Sequence, residues 1–197
     1  MLITNSSLLI KMKEVLKYYK DFPKEGIVFV DIIPFLQNKA IFRELTHRVG
    51  EACTTATIIA PEARGFLFAA PLLTEAEHVE NIVPVRKSGK LPFAEGDLQE
   101  VLIEKEYGFD KLYYRRSDIA AGKPAGDKFE VTILDDVLAT GGTAEGLALS
   151  LESQTIELDG KSYGIKVKEF VFIVEIEELG GAARLEKIAP VKSITKI

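Results

Sequence analysis

Residues 131–146 read VTILDDVLATGGTAEG, in which two adjacent acids, Asp135 and Asp136, precede the short polar run Ala139, Thr140, Gly141, Gly142 and Thr143. An apolar strand that ends for structural reasons needs one turn residue, not paired charges and then two glycines. Glycine tolerates positive φ and lacks Cβ bulk, so Gly141 and Gly142 let backbone N–H groups converge on one point. Thr140 and Thr143 add hydroxyl donors. If Thr143 opens a helix, its unpaired N–H groups and positive dipole end complete a cradle suited to a phosphate. Carboxylates beside such a cradle would repel the phosphate. Asp135 and Asp136 therefore face another part of the ligand, such as ribose hydroxyls, directly or through Mg²⁺. Together the string specifies a sugar phosphate.

Other chemistries are not encoded. The sequence holds neither G-x-x-x-x-G-K-[ST] nor G-x-G-x-x-G, which disfavours a Walker-type ATPase and a dinucleotide-binding dehydrogenase. A net charge of -5 argues against a broad nucleic-acid footprint. The single cysteine, Cys53, cannot form an internal disulfide, and no Cys/His cluster has zinc-ligand spacing. His47 and His78 are read as surface or core-edge residues. No apolar run is long enough to span a bilayer, and the N-terminus lacks a signal-peptide pattern. The expectation is a cytoplasmic protein with no nucleic-acid or membrane partner.

The elements that must hold the cradle follow from periodicity. Leu8, Met12, Val15, Leu16 and Tyr19 predict an N-terminal helix, ended by a turn at Pro23 and Gly26. IVFVDII then reads as a strand, and Asn38 as the cap of a helix presenting Ile41, Phe42, Leu45 and Val49. TIIA, NIVPVR, KLYYRR, FEVTIL and KEFVFIVEI predict further strands, with RGFLFAAPLLTEA and TAEGLALSLES as helices. Such alternation predicts an α/β fold over residues 1–197 as one domain, its mostly parallel central sheet flanked by helices. In that fold Ala139–Thr143 lies at the carboxyl edge of the sheet, where open α/β proteins bind ligands. Two segments exceed a minimal layout. Residues 87–108 are too long and polar for a connection and read as a lid or binding loop. Residues 157–164, with Asp159-Gly160, read as a peripheral β-excursion.

DDVLATGGT closely resembles the phosphoribosyl-pyrophosphate (PRPP) motif of the type I phosphoribosyltransferases. With FPKEGIVFVDI, EARGFLF, VRKSGKLP, EYG and VEIEEL in order, the resemblance narrows to the adenine branch of that family and runs from about Phe22 to Pro190. It implies transfer of the phosphoribosyl group from PRPP to adenine, giving AMP and pyrophosphate, with Mg²⁺ held mainly through PRPP. It also implies a small N-terminal/C-terminal hood, a long mobile loop and a homodimer. Ala139–Thr143 would hold the 5-phosphate, and Asp135 and Asp136 the ribose hydroxyls. Arg64, Arg86, Lys87 and Lys90 would meet the pyrophosphate, some of them from a neighbouring subunit. Glu106, on the mobile loop beside Tyr107, would handle the proton. Phe29 and Ile176 would sandwich the adenine ring, and the backbones of Val28 and Val30 would read its edge.

The chain departs from the family pattern in places. Val30 stands where arginine is common, and Ala63 where a small polar residue is common. The loop carries Glu95, Asp97, Glu100 and Glu104, and an acidic lid over a pyrophosphate is unhelpful unless those side chains point elsewhere. Two alternatives remain: a 6-oxopurine as the base, which would call for a lysine near Ile176 where the sequence shows none, and a PRPP-binding regulator without turnover.

Overall fold

The computed structural model describes residues 11–105 and 108–197. Its centre is a parallel sheet of β3 (Thr57–Pro61), β4 (Asn81–Lys87), β7 (Lys128–Leu138), β9 (Lys161–Glu175) and β10 (Val191–Lys196), in the order β10-β9-β7-β3-β4. The inner strands are apolar on both faces because helices cover both. All five residues of β3 are buried, as are Phe170–Glu175 of β9. Alternate residues feed two cores. Ile59, Val131, Ile133, Phe170 and Phe172 pack with Leu147 and Leu151 of α7 (Gly142–Glu152). Ile58, Ala60, Leu134, Val171 and Ile173 pack with Leu45 and Val49 of α3 (Lys39–Ala52) and Phe68 of α4 (Arg64–Ala69).

Local signals account for most boundaries. Asn38 Oδ1 accepts the Ala40 and Ile41 N–H groups at 3.1 Å each and so caps α3. Asp159 and Gly160 both take positive φ, 52° and 73°, in the tight turn joining β8 (Thr155–Leu158) to β9. This is the excursion expected at 157–164.

The N-terminal expectation is corrected. Among the described residues, 11–15 are helical (α1), but Lys17–Lys20 form a strand, β1, antiparallel to β2 (Val28–Asp31). Tyr18 and Tyr19 favour extended backbone, and pairing with β2 supplies ladder hydrogen bonds that a lone last helical turn would lack. Leu8 lies outside the described residues. This two-stranded ribbon is the N-terminal hood, while the C-terminal segment joins the main sheet as β10.

The segment 87–108 also differs from a plain loop. It contains β5 (Leu98–Lys105), which pairs antiparallel with β6 (Gly108–Arg115), from Leu98↔Arg115 to Lys105↔Gly108. β6 then pairs antiparallel with β4 at Arg86↔Tyr113. Polar composition hides a period-two pattern in which Val101 and Ile103 are buried while Glu100 and Leu102 face solvent. Gly146 of α7 makes room for this hairpin, because a Cβ there would lie 2.8 Å from Ile103 Cδ1 and 3.3 Å from the Leu102 carbonyl. No helix among the described residues is long and apolar enough to cross a membrane.

Candidate active site

From β3 the chain crosses to β4 on one side, and from β7 to β9 on the other. The carboxyl ends of β3 and β7 therefore diverge, and a crevice opens at this switch point. Two adjoining cavities fill it. One of about 110 Å³ is lined by the whole run Ala139–Thr143 with Asp135, Val137 and Phe172. The other, of about 270 Å³, is lined by Pro61–Arg64, Lys87, Asp135, Asp136 and Thr143, and by Ile103, Asp110 and Leu112 of the hairpin. Asp135, Val137 and Thr143 belong to both, so the two cavities form one cleft.

Gly141 caps α7 with φ 77°, a left-handed conformation that suits glycine. The N–H groups of the first turn of α7 have no acceptor within the helix and open onto the smaller cavity. Across the switch point, Gly65 lets the β3–α4 turn close against β7. A Cβ there would lie 3.1 Å from Asp135 Oδ1 and 3.2 Å from the Leu134 carbonyl.

The two acids differ. Asp136 is 5% exposed, and its Oδ2 lies 2.7 Å from Arg64 Nε as an ion pair rather than an aligned hydrogen bond. Asp135 Oδ1 accepts the Asp136 N–H at 2.8 Å. Burial, and then the adjacent Asp136 charge, hold the Asp135 carboxyl well above the usual carboxylate range. The Asp136 N–H and the Arg64 charge only partly offset this. Of the two acids, Asp136 is the one that faces Arg64. Burial would likewise raise Glu62. Hydrogen bonds from Arg86 and the Lys87 backbone, with the charges of both residues, outweigh it and hold the carboxyl below its ordinary value.

Arg64 and Lys87 line the cleft. Arg86 and Lys90 do not: Arg86 is ion-paired with Glu62 and lies 5.6 Å over the Phe66 ring, and Lys90 is exposed. Alternation along β4 turns Arg86 to the face opposite Lys87. Glu106 and Tyr107 lie outside the described residues. In the hood, the Arg64 guanidinium carbon sits 5.3 Å from the Phe29 ring centroid, and Phe22 meets the same ring edge-on at 5.1 Å. Val30 is buried and Ile176 packs against the same apolar cluster, whereas Val28 is exposed. Lys196 comes close to the Ile176 segment through β10. Its Nζ is 3.2 Å from Glu175 and 3.7 Å from Glu177, so a lysine does stand nearby, bound by two acids.

Sequence reasoning missed Glu62, Asp110 and the hairpin residues Ile103 and Leu112. Glu62 had a signal, since it immediately precedes the Ala63–Arg64 turn. Ile103 had only the alternation in β5, while Leu112 lies in KLYYRR, already read as a strand. Among the described residues no group of three or more His, Cys, Asp or Glu could hold a metal ion. Asp135 and Asp136 supply a carboxylate pair, the donor set of a Mg²⁺ that takes its remaining oxygens from substrate and water.

No protein-family model matches the chain. The chain is 38% identical over 190 residues to an adenine phosphoribosyltransferase of Shewanella sp. (strain W3-18-1), covering 94% of this chain and 91% of that one. Among solved structures it is similar to the adenine phosphoribosyltransferase of Thermoanaerobacter pseudethanolicus, with TM-score 0.78 and 35% identity over 96% of this chain and 99% of that one. It is also similar to the Saccharomyces cerevisiae enzyme complexed with an imino-altritol bisphosphate and adenine, with TM-score 0.75, 33% identity and coverage of 96% and 99%. These likenesses run over almost the whole of each chain, and the chain belongs to the adenine phosphoribosyltransferase family.

Proposed function

We propose that the protein transfers the 5-phosphoribosyl group of PRPP to adenine, releasing pyrophosphate and forming AMP. The observation that carries this reading is the continuity of the cleft from the 139–143 loop, past Asp135 and Asp136, to Arg64 and Lys87. A 5-phosphate, a ribose and a pyrophosphate succeed one another along PRPP in the same order. The loop N–H groups and hydroxyls bind the 5-phosphate, the acids bind the ribose hydroxyls, and Arg64 and Lys87 meet the pyrophosphate. Mg²⁺ would be held mainly through PRPP oxygens, with Asp135 and Asp136 beside it in the cleft, and would supply charge neutralisation on the leaving group.

Bond formation between adenine N9 and ribose C1 accompanies cleavage of the C1–oxygen bond, whose electron pair leaves on pyrophosphate. Negative charge grows on that oxygen, and Arg64 and Lys87 are aimed to stabilise it. Glu106 takes the ring proton. Phe29 and Ile176 flank the base, and the backbones of Val28 and Val30 read its edge. With the Val30 side chain turned into the core, base reading there rests on main-chain groups. The internal Arg64–Asp136 pair must open when PRPP arrives, so the resting site keeps its charges matched. In this reading the protein is a cytoplasmic homodimer, with Lys90 directed towards a neighbouring subunit's site and Arg86 held at its own through Glu62.

The bound Lys196 keeps a 6-oxopurine as the second reading. Pyrophosphate release from PRPP and Mg²⁺, measured in parallel with adenine, hypoxanthine, guanine and no base, decides between them. Release with adenine alone is expected. Release with hypoxanthine or guanine would transfer the assignment to the 6-oxopurines. No release with any base, alongside a PRPP-induced rise in Tm, would make the protein a PRPP sensor.

A further inference from the structure

We propose that the short helix α8 (Gly181–Leu185) is the positioning element of the 139–143 loop, acting through Gly181 and Arg184. The inference rests on the reading that this loop binds a phosphate. α8 follows β9 and a single 3₁₀ turn, Glu177–Leu179, and it packs directly on the loop. A Cβ on Gly181 would lie 2.2 Å from the Ala139 carbonyl oxygen, 3.1 Å from its carbon and 2.8 Å from Leu138 Cδ1. The contact is reciprocal. A Cβ on Gly141 would lie 3.1 Å from the Gly181 carbonyl oxygen and 3.2 Å from Leu185 Cγ. Two backbones therefore touch where each has a glycine.

A second contact fixes the other side of the loop. Arg184 Nε donates to Glu145 Oε2 at 2.7 Å, and its guanidinium reaches to 3.6 Å from where a Gly142 Cβ would stand. Glu145 lies in the first turn of α7, where its N–H donates to the Gly141 carbonyl at 2.9 Å. Its carboxylate would oppose a phosphate bound at that helix end, and Arg184 neutralises it. The base of α8 is anchored, with Leu185 fully buried and the Ile176 N–H bonded to the Leu138 carbonyl at 2.9 Å. Strand β9 thus carries the buttress and strand β7 the acids, so pairing of the two strands sets the distance from phosphate site to ribose site.

The group facing Gly181 is a carbonyl, not the end of a flexible side chain, so no rotamer change can relieve an added methyl. Restoring ordinary contact at 3.4 Å requires the loop or α8 to move by about 1 Å. Displacements of that size in a positioning group cost on the order of ten- to a hundred-fold in the step they serve.

The test measures kcat, the KM values for PRPP and adenine, and calorimetric binding of ribose 5-phosphate. It compares wild type with Gly181→Ala, Arg184→Gln and Ile156→Ala, which opens a cavity in β8 away from the cleft. Gly181→Ala is expected to raise the PRPP KM and weaken ribose 5-phosphate roughly tenfold or more, with kcat at saturating PRPP and the adenine KM moving less than about twofold. Arg184→Gln should raise the PRPP KM about threefold, and Ile156→Ala should lower Tm without moving it. Tight ribose 5-phosphate binding by both wild type and Gly181→Ala overturns the buttress alone. Absent binding by wild type overturns the phosphate reading and the buttress with it. A PRPP KM raised equally by Ile156→Ala overturns it too, since general loosening would then suffice. Should Gly181→Ala fail to fold, Arg184→Gln decides, and an unmoved PRPP KM there ends the proposal.

Discussion

Asp135 and Asp136 share a sequence signal but not an environment. Asp136 faces Arg64 across 2.7 Å, while the Asp135 carboxyl is held high by burial and by its neighbour's charge. Asp136→Asn removes the ion pair and also relieves the repulsion on Asp135. These effects oppose, and Arg64 keeps partial solvent contact, so the stability change should stay within about 1 kcal/mol. In the proposed reading that charge meets the ribose, so turnover should fall on the order of a hundredfold. Kinetics beside a thermal melt check this, and parallel losses in both would make the acid structural. Gly141 makes a sharper case. At φ 77° any side chain is strained, and a Cβ there would press on the Gly181 carbonyl. Gly141→Val is expected to raise the PRPP KM roughly a hundredfold, and an unchanged KM would remove the cradle. Both residues were legible in the sequence because their chemistry is local. Paired acids, two glycines and two threonines lie within nine positions, and a strand-to-helix turn is the only element needed to assemble them.

The hairpin of β5 and β6 shows what local reading loses. Residues 87–108 look like an acidic lid, yet Asp97 serves a different purpose. Its carboxylate accepts the Ser117 N–H at 2.8 Å and the Ser117 hydroxyl at 2.7 Å, and so caps α6 (Arg116–Ala120) from a distant segment. Burial would raise this acid, but the Ser117 hydrogen bonds and the charges of Arg115 and Arg116 hold it below its ordinary value. Glu100 is likewise engaged, by Lys111 and the Tyr113 hydroxyl across the hairpin. Neither carboxylate lines the cleft. Asp97→Ala should cost about 1 kcal/mol, typical of a lost cap, and leave kcat unchanged. A raised kcat would mean that the acid does act on the leaving group. Strand β6 is foreseen in KLYYRR, but β5 escaped sequence reading because its buried residues, Val101 and Ile103, are interleaved with charge. Their partner surface, α7 at Gly146, lies far along the chain. The same reason hides Gly181, whose requirement comes from the Ala139 carbonyl and not from any neighbour in sequence.

At the scale of the whole molecule, the sheet has an active carboxyl edge and a tied amino edge. At the tied edge Glu169, 3% exposed, accepts the Thr54 N–H and hydroxyl, the Thr132 hydroxyl and Lys192 Nζ. Lys192 also donates to the Ala52 carbonyl at 2.7 Å, so one carboxylate joins the end of α3, the entry to β3, the bulge of β7 and the start of β10. Burial would raise the Glu169 carboxyl, but the Lys192 and threonine hydrogen bonds prevail and lower it from 4.5. The sign follows from linkage. A depressed acid contributes stability that is present in full above its unfolded value and is lost as pH falls through its folded value. Asp135 acts oppositely: its raised carboxyl makes ionisation costly, so its contribution to stability is lost as pH rises and not as it falls. Glu169→Gln should lower stability by about 2 kcal/mol at neutral pH, a figure tempered by the partial exposure of Lys192. Melts of wild type and variant from about pH 8 to 3 should then converge below the unfolded value near 4.5, as protonation removes from the wild type what the substitution removed from the variant. A gap that persists unchanged into acid would show that shape and hydrogen bonding at Glu169, and not its charge, hold the amino edge together.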